Sequence, residues 1–322
     1  MKRLWGAMAA LILATAPVVA TDYPSRQITI LVPAPAGGPT DTFGRLLADA
    51  MGRLYGQRIL VENAVGAGGM VGARRVARAA PDGYTLLVFN TALTSIPAFS
   101  KTIELDPLTG LSPIGLINES PFVLLSRRDF PAADTRELVA RMRADNDNIR
   151  FGHGGFGGGA HICGLLLSRA VGAKPNFVAY RGAAPVMTDI MGGHIDLFCA
   201  QTADAIANAE TKTIKPFALT GTTRLAQLPQ ISTLREAGVQ DADMSVWHAL
   251  FAPPGTPDDV LSSLSGALDR ALEDPEIIAR FKMLGVQATE PARRGPAMLR
   301  KLLEVETMRW RTLVSDMGVT QQ

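Results

Sequence analysis

The sequence predicts an α/β fold in two lobes, each a mostly parallel sheet flanked by helices. Three observations lead there. Short β-branched runs alternate with amphipathic stretches, the order that parallel strands and crossover helices require. The alternation starts afresh near residue 149, in a chain of 322 residues that is long enough for two cores. Several loops that follow strands are rich in glycine, and open sheets bind ligands at that edge.

Taken in order, the first twenty residues read as a secretory leader. Lys2 and Arg3 precede an apolar run from Leu4 to Ala16, and Pro17-Val18-Val19-Ala20 places small residues for a cut after Ala20. The run is shorter than the ~20 residues a membrane span needs. Ile28 to Val32 is the first strand. Pro35 to Asp41 then opens a helix with Phe43, Leu46, Leu47, Ala50, Met51 and Leu54 on one face. Ile59 to Val61 is a strand, Gly66-Ala67-Gly68-Gly69 opens a helix to about Ala80, and Tyr84 to Phe89 is a third strand.

In the second half, Ile149 to Phe151 leads through the loop Gly152 to Gly159 into a helix to about Ala170. Phe177 to Tyr180 leads into a helix over Ala183 to Met191. Ile195 to Phe198 and Ile214 to Leu219 are further strands. Pro257 to Leu272, Pro275 to Leu284 and Pro296 to Met317 are helical, and these are expected to pack back on the first lobe.

Lys and Arg number 32 against 30 Asp and Glu. Lys2 and Arg3 supply the whole formal excess of +2, so the chain after the leader is neutral. Such a chain has no global field for a nucleic-acid backbone or an anionic membrane, which excludes a general nucleic-acid binder. There is no CxxC or HExxH, and His153 and His161 fit no usual zinc spacing, so neither metal nor cofactor is expected. Cys163 and Cys199 could bridge in an oxidising compartment, but two small buried thiols are the favoured reading.

Glycine loops that open helices present backbone N–H groups and the positive end of the helix dipole, which favour a carboxylate or phosphate. In Pro35 to Asp41, Gly37 and Gly38 free the backbone while Thr40 or Asp41 caps the helix. Gly66 to Gly69 is divided evenly between an anion cradle and a tight turn. Arg181 directly follows a strand and could fork onto a carboxylate, or pair with an acid on the surface. Gly152 to Gly157 fits GxGxxG, but no Asp or Glu follows until Asp189, so the ribose contact of a dinucleotide site is missing. Asp189 and Asp196 are read as turn and helix-end residues. No GxSxG elbow supports a hydrolase.

The strings ILVPAPAGGPTD, VENAVGAGGMVGARRVARAAPDGYTLL, YRGAAPVMTDIMGGHIDLF, LPQISTLREAG and WHALFAPPGTP occur in this order. Together they resemble the Bug-type solute-binding proteins of tripartite tricarboxylate transporters, from Tyr23 to about Val319. The resemblance implies a two-lobed, type II-like periplasmic binding protein with its ligand cleft between the lobes. Such a protein would not be an enzyme; it would act as a monomer that closes about a hinge on a small organic anion, with an aromatic carboxylate or a dicarboxylate among the candidates, and delivers it to membrane permease subunits. The chain would cross near Pro121 to Leu125 and return near Ser245 to Leu250. Residues 21–122 and 246–322 then form lobe 1, and 123–245 form lobe 2.

The resemblance further implies that Ala36, Gly37, Gly38, Thr40 and Asp41 hold one ligand carboxylate. Gly154 to Gly158, His161, Arg181 and Gly182 would face it from lobe 2. Thr91 to Ser95, Thr202 to Asp204 and Trp247 would line the cleft, although Trp247 on its own reads more simply as core. One loop departs from the family's SAGNGT-like pattern: His153, Gly154, Gly155, Phe156, Gly157, Gly158 and Gly159 carry no hydroxyl. Phe156 would favour a ligand with an aromatic or apolar body, an aromatic or extended carboxylate instead of a short hydroxy-acid such as citrate or malate, or would simply pack the loop. His153 could pair with a second carboxylate. An exported NAD-linked dehydrogenase or hydrolase, and a ligand sensor for a membrane receptor kinase, are the alternatives.

Overall fold

The computed structural model describes residues 23–100, 105–209 and 212–318, so the expected leader lies outside the described residues. The first sheet begins with β1 (Ile28–Val32), α1 (Pro39–Tyr55), β2 (Ile59–Asn63), a 3-10 turn, α2 (Met70–Ala77), β3 (Thr85–Asn90) and α3 (Ala92–Phe99). The long strand β4 (Ser112–Arg127) follows. Next come α4 (Thr135–Asp145), β5 (Arg150–His153), α5 (Gly159–Val171), β6 (Asn176–Ala179), α6 (Ala183–Met191), β7 (Leu197–Gln201), α7 (Thr202–Ala209), β8 (Ile214–Leu219) and β9 (Ser232–Thr233). The chain returns through β10 (Ser245–Ala252) to α8 (Asp258–Glu273), α9 (Pro275–Met283), β11 (Gln287–Ala288), α10 (Pro291–Arg294) and α11 (Pro296–Asp316).

The strands run in the order β2-β1-β3-β10-β4-β7-β5-β6. β1 is parallel to β2 and β3, and β5 is parallel to β6 and β7. Between these parallel groups the ladder is antiparallel, because the chain leaves one group and returns to it. Ser112 to Pro121 of β4 pair with β10, whereas Phe122 to Ser126 of the same strand pair with β7. β4 therefore belongs to both sheets.

Local chemistry sets the helix bounds. α1 has Pro39 in its first turn and ends on Gly56 at φ 63°, the left-handed stop that glycine takes without steric cost. α8 carries Asp258 and Asp259 in its first turn and Arg270 in its last, matching the helix dipole. The first sheet buries Phe43, Leu47, Leu264 and Leu268 on one face, and Leu87, Phe89 and Trp247 on the other.

Two expectations need correction. Cys163 and Cys199 are joined in a disulfide between α5 and β7, with Cα atoms 6.2 Å apart. The thiol reading fails because α5 packs across β7, and that crossing has no local sequence signature. Of the C-terminal helices, α11 packs on both sheets. Its Leu299 and Leu303 join the first core, while Trp310, Leu313 and Val314 lie in the cluster that holds Phe151 and Leu166.

Candidate binding cleft

The loop before α1 is held by a carboxylate. Asp41 Oδ2 accepts from Gly37 N and Arg45 Nε, each at 2.9 Å, and its Oδ1 accepts from Asn63 Nδ2 at 2.9 Å. Burial works to raise the Asp41 pKa, but the bonds from Arg45, Gly37 and Asn63 outweigh it and leave the carboxyl below its ordinary value. With its oxygens so engaged, Asp41 shapes the loop. Ala36 and Gly37 are exposed at its tip, and Gly38 is the residue that enters the helix.

Thr40 heads a buried chain of polar groups. Asn90 Nδ2 donates to Thr40 Oγ1 at 3.1 Å, Thr40 Oγ1 lies 3.3 Å from His248 Nε2, and His248 Nδ1 lies 2.9 Å from Asn118 Oδ1. Burial pushes the His248 pKa down to about 3, so the ring is neutral. A proton on Nδ1 lets it donate to Asn118 and accept from Thr40 at Nε2. The start of α1 is thereby tied to β4 and β10 at the junction of the sheets. Asn90, Asn118 and His248 were not among the residues singled out from the sequence.

Thr91 and Trp247 exchange bonds: Thr91 N donates to the Trp247 carbonyl at 3.2 Å, and Trp247 N donates to Thr91 Oγ1 at 3.1 Å. Both residues are buried, and the Trp247 side chain packs in the first sheet's core with Leu87 and Phe89. Ser95 reaches across the sheets, its Oγ donating to the Gly157 carbonyl at 2.6 Å.

From the second sheet, the β5–α5 loop turns over two imidazoles. Gly155 N donates to His153 Nδ1 at 3.3 Å, and Gly157 N donates to His161 Nδ1 at 3.1 Å. The rings are 4.4 Å apart. Burial lowers both pKa values, that of His161 to about 3 with His153 contributing. They act as uncharged supports beneath the loop. Phe156 packs on Phe99 at 5.5 Å and on His161 at 4.8 Å between ring centroids, and its side chain is half-buried. Gly158 caps α5 in an extended conformation.

The loops of the two sheets meet. A Cβ on Gly182 would lie 2.8 Å from Pro35 Cγ, one on Gly155 would lie 3.7 Å from Gly68 Cα, and one on Gly157 would lie 3.0 Å from Ile96 Cα. Gly154 packs as closely on the Gly182–Ala183 backbone. Arg181 is exposed beside Gly182, and among the described residues it has no ion-pair partner. Thr202 and Asp204 start α7 at the end of β7, a strand parallel to β5, which puts them on the same sheet edge as the His153 loop. Gln201, just before them, was not singled out from the sequence.

Two sheets joined by paired crossing strands, with glycine loops that open α1, α5 and α6 meeting between them, define a two-lobed solute-binding protein. The model of the tripartite tricarboxylate transporter family receptor matches residues 43–319. A protein of Agrobacterium vitis, named for the TAR-I ttuE-ttuC' intergenic region, is 39% identical over 92% of this chain and 86% of its own length. The structure of the periplasmic binding protein BugD superposes with TM-score 0.88 at 34% identity, covering 93% of this chain and all of that one. MatC from Rhodopseudomonas palustris with bound malate gives TM-score 0.87 at 34% identity, covering 91% and 100%. This chain belongs to the tripartite tricarboxylate transporter family receptors.

Proposed function

We propose that the protein captures a small aliphatic dicarboxylate in the cleft and hands it to the permease subunits of a tripartite transporter. One observation carries this reading: glycine loops opening helices from both sheets face each other, and backbone N–H groups at helix starts favour anions. Gly37, Gly38 and Thr40 would take one carboxylate. Gly154 to Gly158 and Gly182 would take the other, with Arg181 adding charge from the rim. An aliphatic body suits a cleft whose Phe156 ring is already packed on protein.

Residues 21–122 with 246–309 would move as one lobe, and 123–245 with the end of α11 that covers them as the other, bending where β4 and β10 pair at Ser120, Pro121 and Ser245. Ligand contacts both lobes only when they are closed, so binding shifts the population to the closed form. The leader, cut after Ala20, would place a monomer in the periplasm.

The test is thermal unfolding of the mature protein, refolded to strip bound solute, with malate, succinate, phthalate and NAD. A ligand at 100 times its dissociation constant stabilises by about 2.7 kcal/mol, a shift of several degrees. A shift with malate or succinate and none with NAD supports the reading. A response to phthalate alone would return Phe156 to the site, and a response to NAD alone would overturn the assignment.

A further inference from the structure

Helix α7 begins with polar atoms that the fold leaves unsatisfied. Gln201 Oε1, Thr202 Oγ1 and Asp204 Oδ2 are buried and have no hydrogen-bond partner among the described residues. Thr202 has no exposed surface at all. Buried polar atoms are nearly always paired, so three within four residues mark a place that another molecule completes.

The turn stands at the cleft edge. Gln201 pairs in the ladder with Phe122, whose ring would lie 2.9 Å from a Cβ on Gly159, the first residue of α5. From the first sheet, Gly285 beyond α9 closes on Thr202 and Ile206. The turn therefore stands on the same sheet edge as the β5–α5 loop assigned above to the anion.

Among the described residues, no cation answers Asp204. α7 packs on β4, β7 and β8, and Gly285 brings the end of α9 near. Charged groups on those elements are Glu119 and Arg127 of β4, Lys215 of β8, and Glu276, Arg280 and Lys282 of α9; β7 has none. Glu119 is paired with Arg293, Arg127 with Asp196 and Asp129, and Lys215 donates to the Ala132 carbonyl. None of them acts on Asp204. Burial alone pushes its carboxyl up to about 7, against the pull of the helix start for negative charge.

An anionic ligand held at that edge would set a second negative charge beside this carboxyl. Two carboxylates in contact and away from water hold one proton between them. We propose that Asp204 is a specificity-determining residue that, in its protonated form, donates a hydrogen bond to a ligand carboxylate, so that each capture takes one proton into the closed protein. The balance is one carboxylate side chain, one solvent proton and one ionised ligand giving one neutral acid bonded to that ligand. Thr202 supplies a second hydroxyl donor. The proposal rests on the carboxylate reading above.

The test labels the aspartate carboxyl carbons and follows Asp204, assigned with Asp204→Asn, from pH 4 to 9 in ligand-free protein and with malate. The expected midpoint lies near neutrality without ligand and moves up by about one pH unit or more with malate. Calorimetry should show malate affinity falling about tenfold per pH unit above 7, with a binding heat at pH 8 that follows the ionisation heat of the buffer. Asp204→Asn, which keeps a donor but cannot titrate, should lose that pH dependence. A carboxyl already ionised at pH 6 in free protein, or malate affinity flat to pH 9 in the wild type, would overturn the proposal and leave the carboxylate reading standing. Binding of no dicarboxylate at any pH would overturn both.

Discussion

The Ser95 hydroxyl donates to the Gly157 carbonyl at 2.6 Å, a buried bond that ties α3 of the first sheet to the glycine loop of the second. Ser95→Ala leaves that carbonyl without its partner when the loops meet. Losing such a bond costs about 1–2 kcal/mol, so malate affinity should weaken roughly 5- to 30-fold. Titration calorimetry reads this directly, and unchanged affinity would show that the bond does not contribute to closure.

Gly182 sits at φ 116° with Pro35 across the cleft from it. Gly182→Ala adds backbone strain of about 1–3 kcal/mol and a methyl where the two loops touch. Gly193→Ala is the control, because Gly193 also has a positive φ but faces open space. The expected result is that both variants melt a few degrees lower, while only Gly182→Ala loses tenfold or more in malate affinity. Equal affinities would show that the Pro35 contact plays no part in closure.

Asp41 makes stability depend on pH. Its folded pKa lies below the ordinary value, so the stabilisation it provides is complete above about pH 4 to 5 and is lost as pH falls through the folded pKa. The urea midpoint should drop between pH 5 and 3, and Asp41→Asn should flatten part of that drop. Asp196 contributes in the same window: burial raises its pKa, but bonds from Arg150 and Arg127 leave it depressed. An Asp41→Asn curve parallel to that of the wild type would remove Asp41 from this account.

The disulfide closes a loop of 36 residues. Chain-entropy reasoning assigns a bridge of that span about 3–4 kcal/mol. The double variant Cys163→Ala with Cys199→Ala should therefore melt several degrees lower than the oxidised protein, and reductant should no longer affect it. A variant as stable as the wild type would place the two cysteines in simple packing.

Much of this structure is legible wherever a local rule decides. Ile28 to Val32 and Ala183 to Met191 form their elements at the bounds the sequence suggests, and α9 and α11 start at prolines, where a missing N–H costs least. Leu54 lies on the apolar stripe of α1 yet is 42% exposed, while its neighbour Tyr55 packs on the first core and donates to the Ser263 carbonyl of α8. β7 begins two residues later than its apolar run, since Ile195 fills the core and Asp196 binds Arg127 and Arg150 before the ladder starts. The site was less legible still. Thr40, Asn90, Asn118 and His248 come from four elements, so only the assembled sheets join them. The unsatisfied atoms at the start of α7 belong to ordinary polar residues whose burial has no signature in spacing or composition.

Helix α11 has a consequence for how the chain can be divided. Excising residues 123–245 as a recombinant fragment would take a sheet without the cover that Trp310, Leu313 and Val314 give it. Ending translation before Trp310 would strip the same cover from the full chain while leaving the first core whole. The second sheet is therefore not a portable module: its core is complete only with residues of α11, which also packs on the first core.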